Sequence, residues 1–253
     1  MSGPSWQARI ERAQRLAKAG STATGILNCY AGILSFQAKV YAALSDHTSQ
    51  SVDQLIPHFK TLLQHIPDIA TQELAQAATS LFQTPDAWRQ LLLHVLDDQV
   101  SENIDSAQLF FAYSVLQPYV EFLSEKSGPH SPSTTSVCPF CGNKPVLSLH
   151  RPEGDGGRRS LVCFLCNTEW QFRRILCPNC GEEDKEKLPV ISAAEFDFVR
   201  LETCNTCKTY VKTIDMTKNG HAIPQVDEIA AMSLDLWASE NGYTKLQRNL
   251  FGV

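Results

Sequence analysis

Cys138-Pro139-Phe140-Cys141 is the first of four cysteine pairs that decide how the second half of this chain folds. The other three pairs, each also of the form Cys-x-x-Cys, are Cys163–Cys166, Cys177–Cys180 and Cys204–Cys207. A tight turn of this length aims both sulfurs at one metal ion, and two such turns complete a tetrahedral set of four thiolates. The sequence therefore predicts eight metal ligands, namely Cys138, Cys141, Cys163, Cys166, Cys177, Cys180, Cys204 and Cys207.

The cysteine region repeats itself. The Cys-Pro-x-Cys-Gly form of the first pair recurs in the third pair, 39 residues further on, and the second pair recurs in the fourth, 41 residues further on. This duplication predicts two ribbon-like modules in tandem, at 137–176 and 177–223, each closing its own four-cysteine site. The alternative is a cross-braced arrangement, in which the first and third pairs share one metal ion.

Two glycines directly follow the second sulfur of a pair, Gly142 after Cys141 and Gly181 after Cys180. The turn around a metal-bound sulfur commonly needs a positive φ at this position, which glycine adopts without strain. The modules contain few apolar residues, so we expect bound metal to supply most of their stability. The predicted cofactors are two metal ions per chain, iron or zinc, each bound by four cysteines.

The first half of the chain has the apolar spacing that is typical of helices. Residues 1–126 predict a bundle of five or six helices, in which Ser5 caps the first helix, Gly20 ends it and Ser51 opens a later one with a capping box. Pro118 falls inside the last helix, where we expect a kink. The predicted fold class is therefore α+β and multidomain, with an N-terminal all-α helical bundle, two tandem rubredoxin-like or zinc-ribbon modules and a C-terminal helix.

A polar segment separates the two halves. Residues 127–136 contain two prolines, one glycine and no other apolar residue, which predicts an exposed linker. Short strands are expected beyond it, with a glycine-rich hairpin turn at 154–157. A single helix is expected over 226–241, with Ile229, Met232, Leu236 and Trp237 on one side. The predicted division is a helical bundle at 1–126, a linker at 127–136, a first ribbon at 137–176, a second ribbon at 177–223, and a C-terminal helix and tail at 224–253.

The composition argues against several classes of protein. Of 253 residues, 43% are hydrophobic and 19% charged, as in globular proteins. No apolar run reaches the roughly 18 to 20 residues that span a bilayer, and no secretory signal is recognisable, so we expect a cytoplasmic protein with reduced thiols. The net charge of −5 disfavours a nucleic-acid binder, which usually has a basic face. No catalytic motif stands out, so no catalytic residue is predicted and the chain is expected not to be an enzyme.

Other residues that carry chemistry have simpler interpretations. Cys29, the unpaired cysteine, lies in the most apolar predicted helix and is expected in the core. His150 and His221 are candidates for extra metal ligands, but surface positions are favoured for both. The basic pairs Arg158-Arg159 and Arg173-Arg174 are compatible with a partner-binding patch or with solvated charges at strand edges.

The residues around and beyond the cysteines resemble those of the FdhE-type formate dehydrogenase accessory proteins. The resemblance covers residues 137–253 closely and the helical half in character only. Besides the cysteine pairs, it is carried by short motifs that are absent from most zinc ribbons, namely Thr168-Glu169-Trp170, Thr209-Tyr210-Val211-Lys212, Asp227-Glu228-Ile229-Ala230, Leu234-Asp235 and Gly242-Tyr243.

The resemblance implies a cytoplasmic maturation factor that binds the catalytic subunit of a molybdenum-containing formate dehydrogenase, with iron or zinc held by the paired cysteines. The chain departs from the family pattern at Lys208, where glycine is expected, and at Leu250, where proline is expected. Two other functions stay open, a zinc-ribbon protein associated with nucleic acid or transcription and a rubredoxin-like electron-transfer protein. The sequence also leaves open a homodimer.

Overall fold

The computed structural model describes residues 5–44, 51–66, 69–97, 104–128, 134–154 and 156–253. Within these residues the first half contains six helices, α1 (Trp6–Ala19), α2 (Thr24–Leu44), α3 (Ile56–His65), α4 (Gln72–Phe82), α5 (Pro85–Leu96) and α6 (Ser106–Lys126). The second half contains the strands β1 (Pro145–Glu153), β2 (Gly156–Cys163), β3 (Glu169–Gln171), β4 (Val190–Ser192), β5 (Val199–Thr203), β6 (Thr209–Asp215) and β7 (Thr244–Lys245). Two short helices precede β7, α7 (Pro224–Ala230) and α8 (Met232–Glu240). The predicted α+β fold class is confirmed.

Capping residues fix both ends of the first helix as predicted. Ser5 Oγ accepts a hydrogen bond from the N–H of Ala8 at 3.2 Å, and Gly20 ends α1 with a φ of 76°. The capping box predicted at Ser51 opens a 3₁₀ turn instead, over Val52–Leu55, in which Ser51 Oγ accepts from the N–H two positions on. The helix α3 therefore begins one turn later than expected.

Pro118 lies inside α6, and the helix continues through it. Because proline has no N–H, the carbonyl of Ser114, four residues earlier, receives no hydrogen bond from the helix backbone. The buried side chain of Gln37 on α2 fills this place, and its Nε2 donates to Ser114 O at 3.0 Å. A proline inside a helix costs about 3 kcal/mol, and Gln37 offsets part of that cost by satisfying the carbonyl.

The strands form one sheet in the order β3-β2-β1-β6-β5-β4, with β7 also paired to β6. β1 and β2 are antiparallel and meet at the predicted glycine-rich turn, of which residue 155 lies outside the described residues. The strands β4, β5 and β6 repeat this antiparallel arrangement. The two halves of the duplication join where β1 runs parallel to β6, with Leu147 opposite Lys212 and His150 opposite Asp215. The two predicted ribbons are thus the halves of a continuous sheet.

The two faces of this sheet have different surroundings. Neighbouring residues of a strand point to opposite faces, so Val211 and Lys212 of β6 face different sides. Lys212 is fully buried against α7 and α8, where its Nζ lies 2.5 Å from Asp235 Oδ2. Val211 lies opposite Glu202 of β5 on the other face, which carries a group of charged side chains. The helices therefore cover one face and leave a polar face on the other.

The C-terminal helix predicted over 226–241 is broken into α7 and α8. The break falls at Ala231, whose φ of −92° and ψ of 36° depart from helical values. Ile229 is buried, whereas Leu236 and Trp237, expected on the same side of one helix, are 58% and 36% exposed. The prediction of one continuous helix with these residues on a shared face was wrong because the break changes the direction of the chain between them.

The helical half and the sheet share one hydrophobic core. Tyr113 of α6 packs edge-on against Phe164, with ring centroids 4.7 Å apart, and Phe251 packs in the same way against Tyr30 at 5.7 Å. Residues 129–133 of the predicted linker lie outside the described residues. Over the ranges that the structure describes, the helices are too short or too polar to cross a membrane.

Candidate metal centres

The first cysteine cluster consists of Cys138, Cys141, Cys163 and Cys166, whose sulfurs all lie within 4.8 Å of one another. The Sγ–Sγ distances are 3.5 Å for Cys138–Cys166, 3.3 Å for Cys141–Cys163 and 3.6 Å for Cys141–Cys166. Tetrahedral sulfurs at ~2.3 Å from a metal ion are about 3.8 Å apart, whereas a disulfide bond measures ~2.05 Å. The spacing therefore fits a four-thiolate metal site, and the cysteines are free of disulfides.

The second cluster consists of Cys177, Cys180, Cys204 and Cys207. Its Sγ–Sγ distances are 3.7 Å for Cys177–Cys207 and 3.7 Å for Cys180–Cys204, close to the tetrahedral value. The structure thus brings the first pair to the second and the third pair to the fourth. This is the sequential arrangement that the duplication predicts, and the cross-braced alternative does not occur.

The turn after the first pair of each half has the same backbone geometry. Gly142 and Gly181 both have a φ of 76°, as predicted. The N–H of Gly142 donates to Cys138 O at 3.0 Å, and the N–H of Gly181 donates to Cys177 O at 3.1 Å. Glycine is favoured here because a side chain disfavours this left-handed conformation.

The position after the last cysteine of each half also has a positive φ, although neither residue is glycine. Asn167 has a φ of 54° and Lys208 a φ of 57°. Lys208 therefore adopts the conformation that glycine would adopt more readily, at a cost of about 1–2 kcal/mol. The departure from the family pattern at this position leaves the geometry of the second turn intact.

A threonine hydroxyl lies against the last sulfur of each cluster. Thr168 Oγ1 is 3.0 Å from Cys166 Sγ, and Thr209 Oγ1 is 3.0 Å from Cys207 Sγ. Burial opposes ionisation of Cys207, but hydrogen bonds led by the one from Thr209 lower its pKa to about 6. Sequence reasoning used the threonines as family markers and missed this role, although their recurrence two residues after the last cysteine was a signal for it.

The ionisation of the first cluster depends on a cation. Burial raises the pKa of Cys163, while hydrogen bonds from the neighbouring thiols, led by Cys141, lower the pKa of Cys138. Four thiols this close cannot all ionise alone, because like charges repel strongly at such distances. A bound dication offsets the repulsion between the four thiolates and allows all of them to ionise. The all-sulfur donor set suits zinc or iron and is too soft for magnesium or calcium.

The helix α6 covers the first cluster. The residues between and after Cys163 and Cys166 are held by three polar contacts to this helix, namely Gln117 Nε2 to Phe164 O at 3.0 Å, Asn167 Nδ2 to Glu121 Oε2 at 2.7 Å and Ser124 Oγ to Thr168 Oγ1 at 2.7 Å. Glu121 also pairs with the buried guanidinium of Arg9 on α1, with Arg9 Nη2 at 2.5 Å. The helical half is thereby tied directly to one metal-binding turn.

The second cluster is more accessible to solvent. Cys180 is exposed and Cys207 is half-buried, whereas Cys177 and Cys204 are buried. A cavity adjoins this cluster and is lined in part by Cys177 and Cys204. The two clusters therefore offer the same donor atoms but differ in how easily a reagent or another molecule reaches them.

The family-specific residues beyond the cysteines build a buried charge network. Lys212 Nζ lies 2.5 Å from Asp235 Oδ2 and 2.8 Å from Glu228 Oε1, and Lys245 also pairs with Glu228. Tyr210 donates its hydroxyl to Asp235 at 2.7 Å. Burial opposes ionisation of Glu228, yet Lys212 and Lys245 together lower its pKa to about 2. These motif residues hold α7 and α8 against the sheet.

The remaining candidates take different places. Cys29 is half-buried, and burial raises its pKa, while His221 is exposed as favoured. The surface position favoured for His150 was wrong, because β1 and β2 become central strands when the two halves join, and His150 is only 9% exposed. For the same reason Arg159 is not a solvated edge charge. It is 2% exposed and pairs with Glu202 at 2.6 Å.

Comparison with known proteins places these features in one family. Residues 137–174 match the model of the FdhE central domain, and residues 175–251 match that of the FdhE C-terminal domain. The protein FdhE homolog of Aquifex aeolicus is 32% identical over 198 residues, 78% of this chain and 64% of that protein. The homolog from Haemophilus influenzae strain PittEE is 28% identical over 194 residues, 75% of this chain and 64% of that protein. The chain thus matches just under two thirds of the length of these relatives.

The fold likeness extends over the helical half as well. The crystal structure of the FdhE protein from Pseudomonas aeruginosa superposes with a TM-score of 0.78 over 99% of this chain and 97% of that one, at 24% sequence identity. The cysteine clusters and the residues that dock the C-terminal helices lie in the segments that match the two domain models. The chain belongs to the FdhE family.

Proposed function

We propose that this chain is a cytoplasmic accessory protein that binds the catalytic subunit of a molybdenum-containing formate dehydrogenase and supports its maturation without catalysing a reaction. Membership of the FdhE family supports the proposal, together with the roles of the motif residues. Thr168 and Thr209 contact cysteine sulfurs, and Lys212, Glu228 and Asp235 join the C-terminal helices to the sheet. Residues that identify the family thus build a scaffold, which is what a binding protein requires.

The eight clustered cysteines are proposed to bind two metal ions per chain, one ion in each cluster, with iron or zinc as the metal. Four sulfurs fill a tetrahedral shell, so such an ion has no open position for water or substrate. The ion holds the two turns of its cluster together and supplies folding free energy. The hydroxyls of Thr168 and Thr209 and the backbone N–H groups near the sulfurs stabilise the thiolates.

The proposed division of the chain follows the same reasoning. A helical bundle at 1–126 and a linker at 127–136 precede ribbons at 137–176 and 177–223, and a C-terminal helical segment and tail fill 224–253. Limited proteolysis of the metal-loaded protein should cut first within 127–136. A first cut inside either ribbon contradicts this division.

Affinity capture tests whether the chain binds the formate dehydrogenase catalytic subunit. A tagged chain, expressed in cells that assemble the enzyme, should recover the formate dehydrogenase catalytic subunit. Cys166→Ala should lose this capture because the first metal-binding turn, to which α6 is tied, comes apart. Cys29→Ala is the matched control, since Cys29 belongs to neither cluster, and it should capture the subunit normally. Absence of the subunit from both the unmodified chain and the control contradicts the proposal.

One observation favours the electron-transfer alternative. Cys180 is exposed, and an iron ion in that cluster would lie close to the surface, where electrons exchange readily with a partner. Zinc has no redox chemistry. An absorption spectrum therefore separates the two functions, because an iron-sulfur chromophore that bleaches reversibly on reduction supports electron transfer and a colourless zinc protein excludes it.

A further inference from the structure

A cavity of about 580 Å³ opens beside the second cysteine cluster, on the face of the sheet that carries Val211. Its floor is built from charged residues of three strands, Glu202 and Arg200 of β5, His150 of β1 and Arg159 of β2. A cavity of this size lies within the range of about 300–1,000 Å³ that is typical of small-molecule sites. It is separate from the face on which α7 and α8 pack.

One arginine of the floor, Arg159, makes most of its hydrogen bonds within the protein. Arg159 Nη2 pairs with Glu202 at 2.6 Å, and Nη1 donates to the carbonyls of Arg173 at 2.8 Å and Leu176 at 3.1 Å. Its Nε donates to Ser148 Oγ at 3.3 Å. Four of its five N–H donors are thus bound to residues of this chain, so Arg159 mainly fixes the shape of the cavity.

Two other arginines have donors to spare. Arg200 Nη1 makes a long contact of 3.3 Å to Asp215, and Nη2 lies 2.8 Å from His150 Nδ1, but the buried Nε has no hydrogen-bond partner. Arg174 lines the cavity from the exposed loop after β3, and its guanidinium makes no ion pair or hydrogen bond with any residue that the structure describes. The Arg200 Nε is closed to solvent, but Nη1 carries a second N–H and the Arg174 guanidinium is exposed, so both arginines can donate to an acceptor from outside the chain.

The arginines of the lining, and not the net charge of the cavity, favour an anion. Outside the cysteines, three arginines, at 159, 174 and 200, face two carboxylates, those of Glu202 and Asp215, a formal balance of +1 before His150 is considered. The metal-loaded second cluster, with four thiolates around one dication, adds a formal charge of −2 beside the cavity. Glu202 pairs with Arg159 and Asp215 pairs with Arg200, so the unmatched positive charge of the lining belongs to Arg174.

The rest of the lining is apolar. Ile175 and Val190 are 50% and 53% exposed, and both line the cavity. Leu176, Leu188 and Leu246 also contribute to its wall. Because exposed side chains of this size are stabilised by apolar contact, the cavity suits a molecule that combines an anionic group with an apolar or aromatic body.

We infer that this cavity binds a small anionic ligand, in which a carboxylate or phosphate accepts hydrogen bonds from Arg174 and Arg200 and an apolar body lies against Ile175 and Val190. The oxygens of such a group match the fork of donors that arginine presents. The inference does not depend on the proposed binding of a formate dehydrogenase subunit.

The test measures binding of matched probes to the full, metal-loaded chain by calorimetry, at low ionic strength and without phosphate buffer. Adenosine 5′-monophosphate represents a phosphate on an aromatic body, and adenosine is its neutral match. N-acetyl-phenylalanine represents a carboxylate, and its amide is the neutral match. At least one anionic probe should bind saturably and more weakly as salt increases, whereas its neutral match should bind at least about tenfold more weakly.

Two variants locate the site. Arg174→Gln should weaken binding of that probe by about tenfold, since one charged hydrogen bond is lost, and Arg200→Gln should do the same. Arg173→Gln is the matched control, because the Arg173 guanidinium pairs with Glu183 and does not line the cavity. Since Arg174 is exposed, its variant is expected to fold. Preference for the phosphate or the carboxylate probe identifies the anion. No saturable binding of either probe, equal binding of the neutral match, or an equal effect of R173Q and R174Q overturns the inference.

Discussion

Replacing Gln37 by methionine tests how the helical half accommodates Pro118. Gln37 Nε2 donates to the carbonyl of Ser114, which α6 itself leaves without a partner, and lies 3.1 Å from Gln117 Oε1. Gln117 in turn donates to Phe164 O beside the first cysteine cluster, at 3.0 Å. Methionine keeps the shape of the side chain but removes both hydrogen bonds.

The expected cost is about 2 kcal/mol of the free energy of unfolding. Ser114 is fully buried, and a buried acceptor that loses its partner costs about 1–3 kcal/mol. The bond to Gln117 adds little, because that residue is half-buried and its oxygen can reach water. For a chain of this size the loss corresponds to a melting temperature lower by roughly 4–8 °C.

The assay is urea unfolding of the metal-loaded protein, followed by circular dichroism, in a double-mutant cycle with Pro118→Ala. Alanine at 118 restores the backbone N–H that reaches Ser114 O, so Gln37→Met in that background should cost about 1 kcal/mol less than it does beside proline. An equal cost in both backgrounds would refute the idea that Gln37 replaces the missing helix hydrogen bond.

Three further predictions concern the sheet and the second cluster. Among the eight clustered cysteines, Cys180 should be the first alkylated by iodoacetamide in the metal-loaded protein, since it is exposed and Cys163 is fully buried; peptide mass spectrometry that finds Cys163 modified before Cys180 contradicts the difference in access. Lys212→Met should lower the free energy of unfolding by about 3–5 kcal/mol, because Glu228 and Asp235 then lose a buried cation, and a loss below about 1 kcal/mol in urea unfolding would show that the network contributes little. Lys208→Gly should stabilise the protein by up to about 1 kcal/mol, because glycine adopts a φ of 57° without strain; Lys208→Val should destabilise it, and the reverse order of melting temperatures counts against the strain.

The sequence predicted the parts that depend on local chemistry. The spacing within each cysteine pair and the repeat of 39 and 41 residues were sufficient to group the sulfurs correctly. Gly142 and Gly181 could be assigned a positive φ because each follows a metal-binding pair, and Ser5 could be assigned as a cap because its side chain acts three residues away. Each of these features is set within a few residues of chain.

The remaining features depend on contacts between distant segments. The parallel pairing of β1 with β6 joins residues more than 60 positions apart, and no periodic pattern announces it. Because that pairing was missed, His150 and Arg159 were assigned to the surface although they lie on central strands. The sequence also did not reveal the charged face of the sheet or the cavity beside the second cysteine cluster, for the same reason. The break at Ala231 likewise reflects how α7 and α8 pack on the sheet and not the local sequence.

Elemental analysis tests whether each half of the duplication closes its own metal site. The unmodified chain, purified without added metal, should contain two ions of iron or zinc, one for each cluster. The variant Cys180→Ala/Cys207→Ala removes one ligand from the third pair and one from the fourth. It should keep one ion per chain, because both ligands belong to the second cluster. An unmodified chain with fewer than two ions, or a double variant that has lost both, contradicts one closed site in each half.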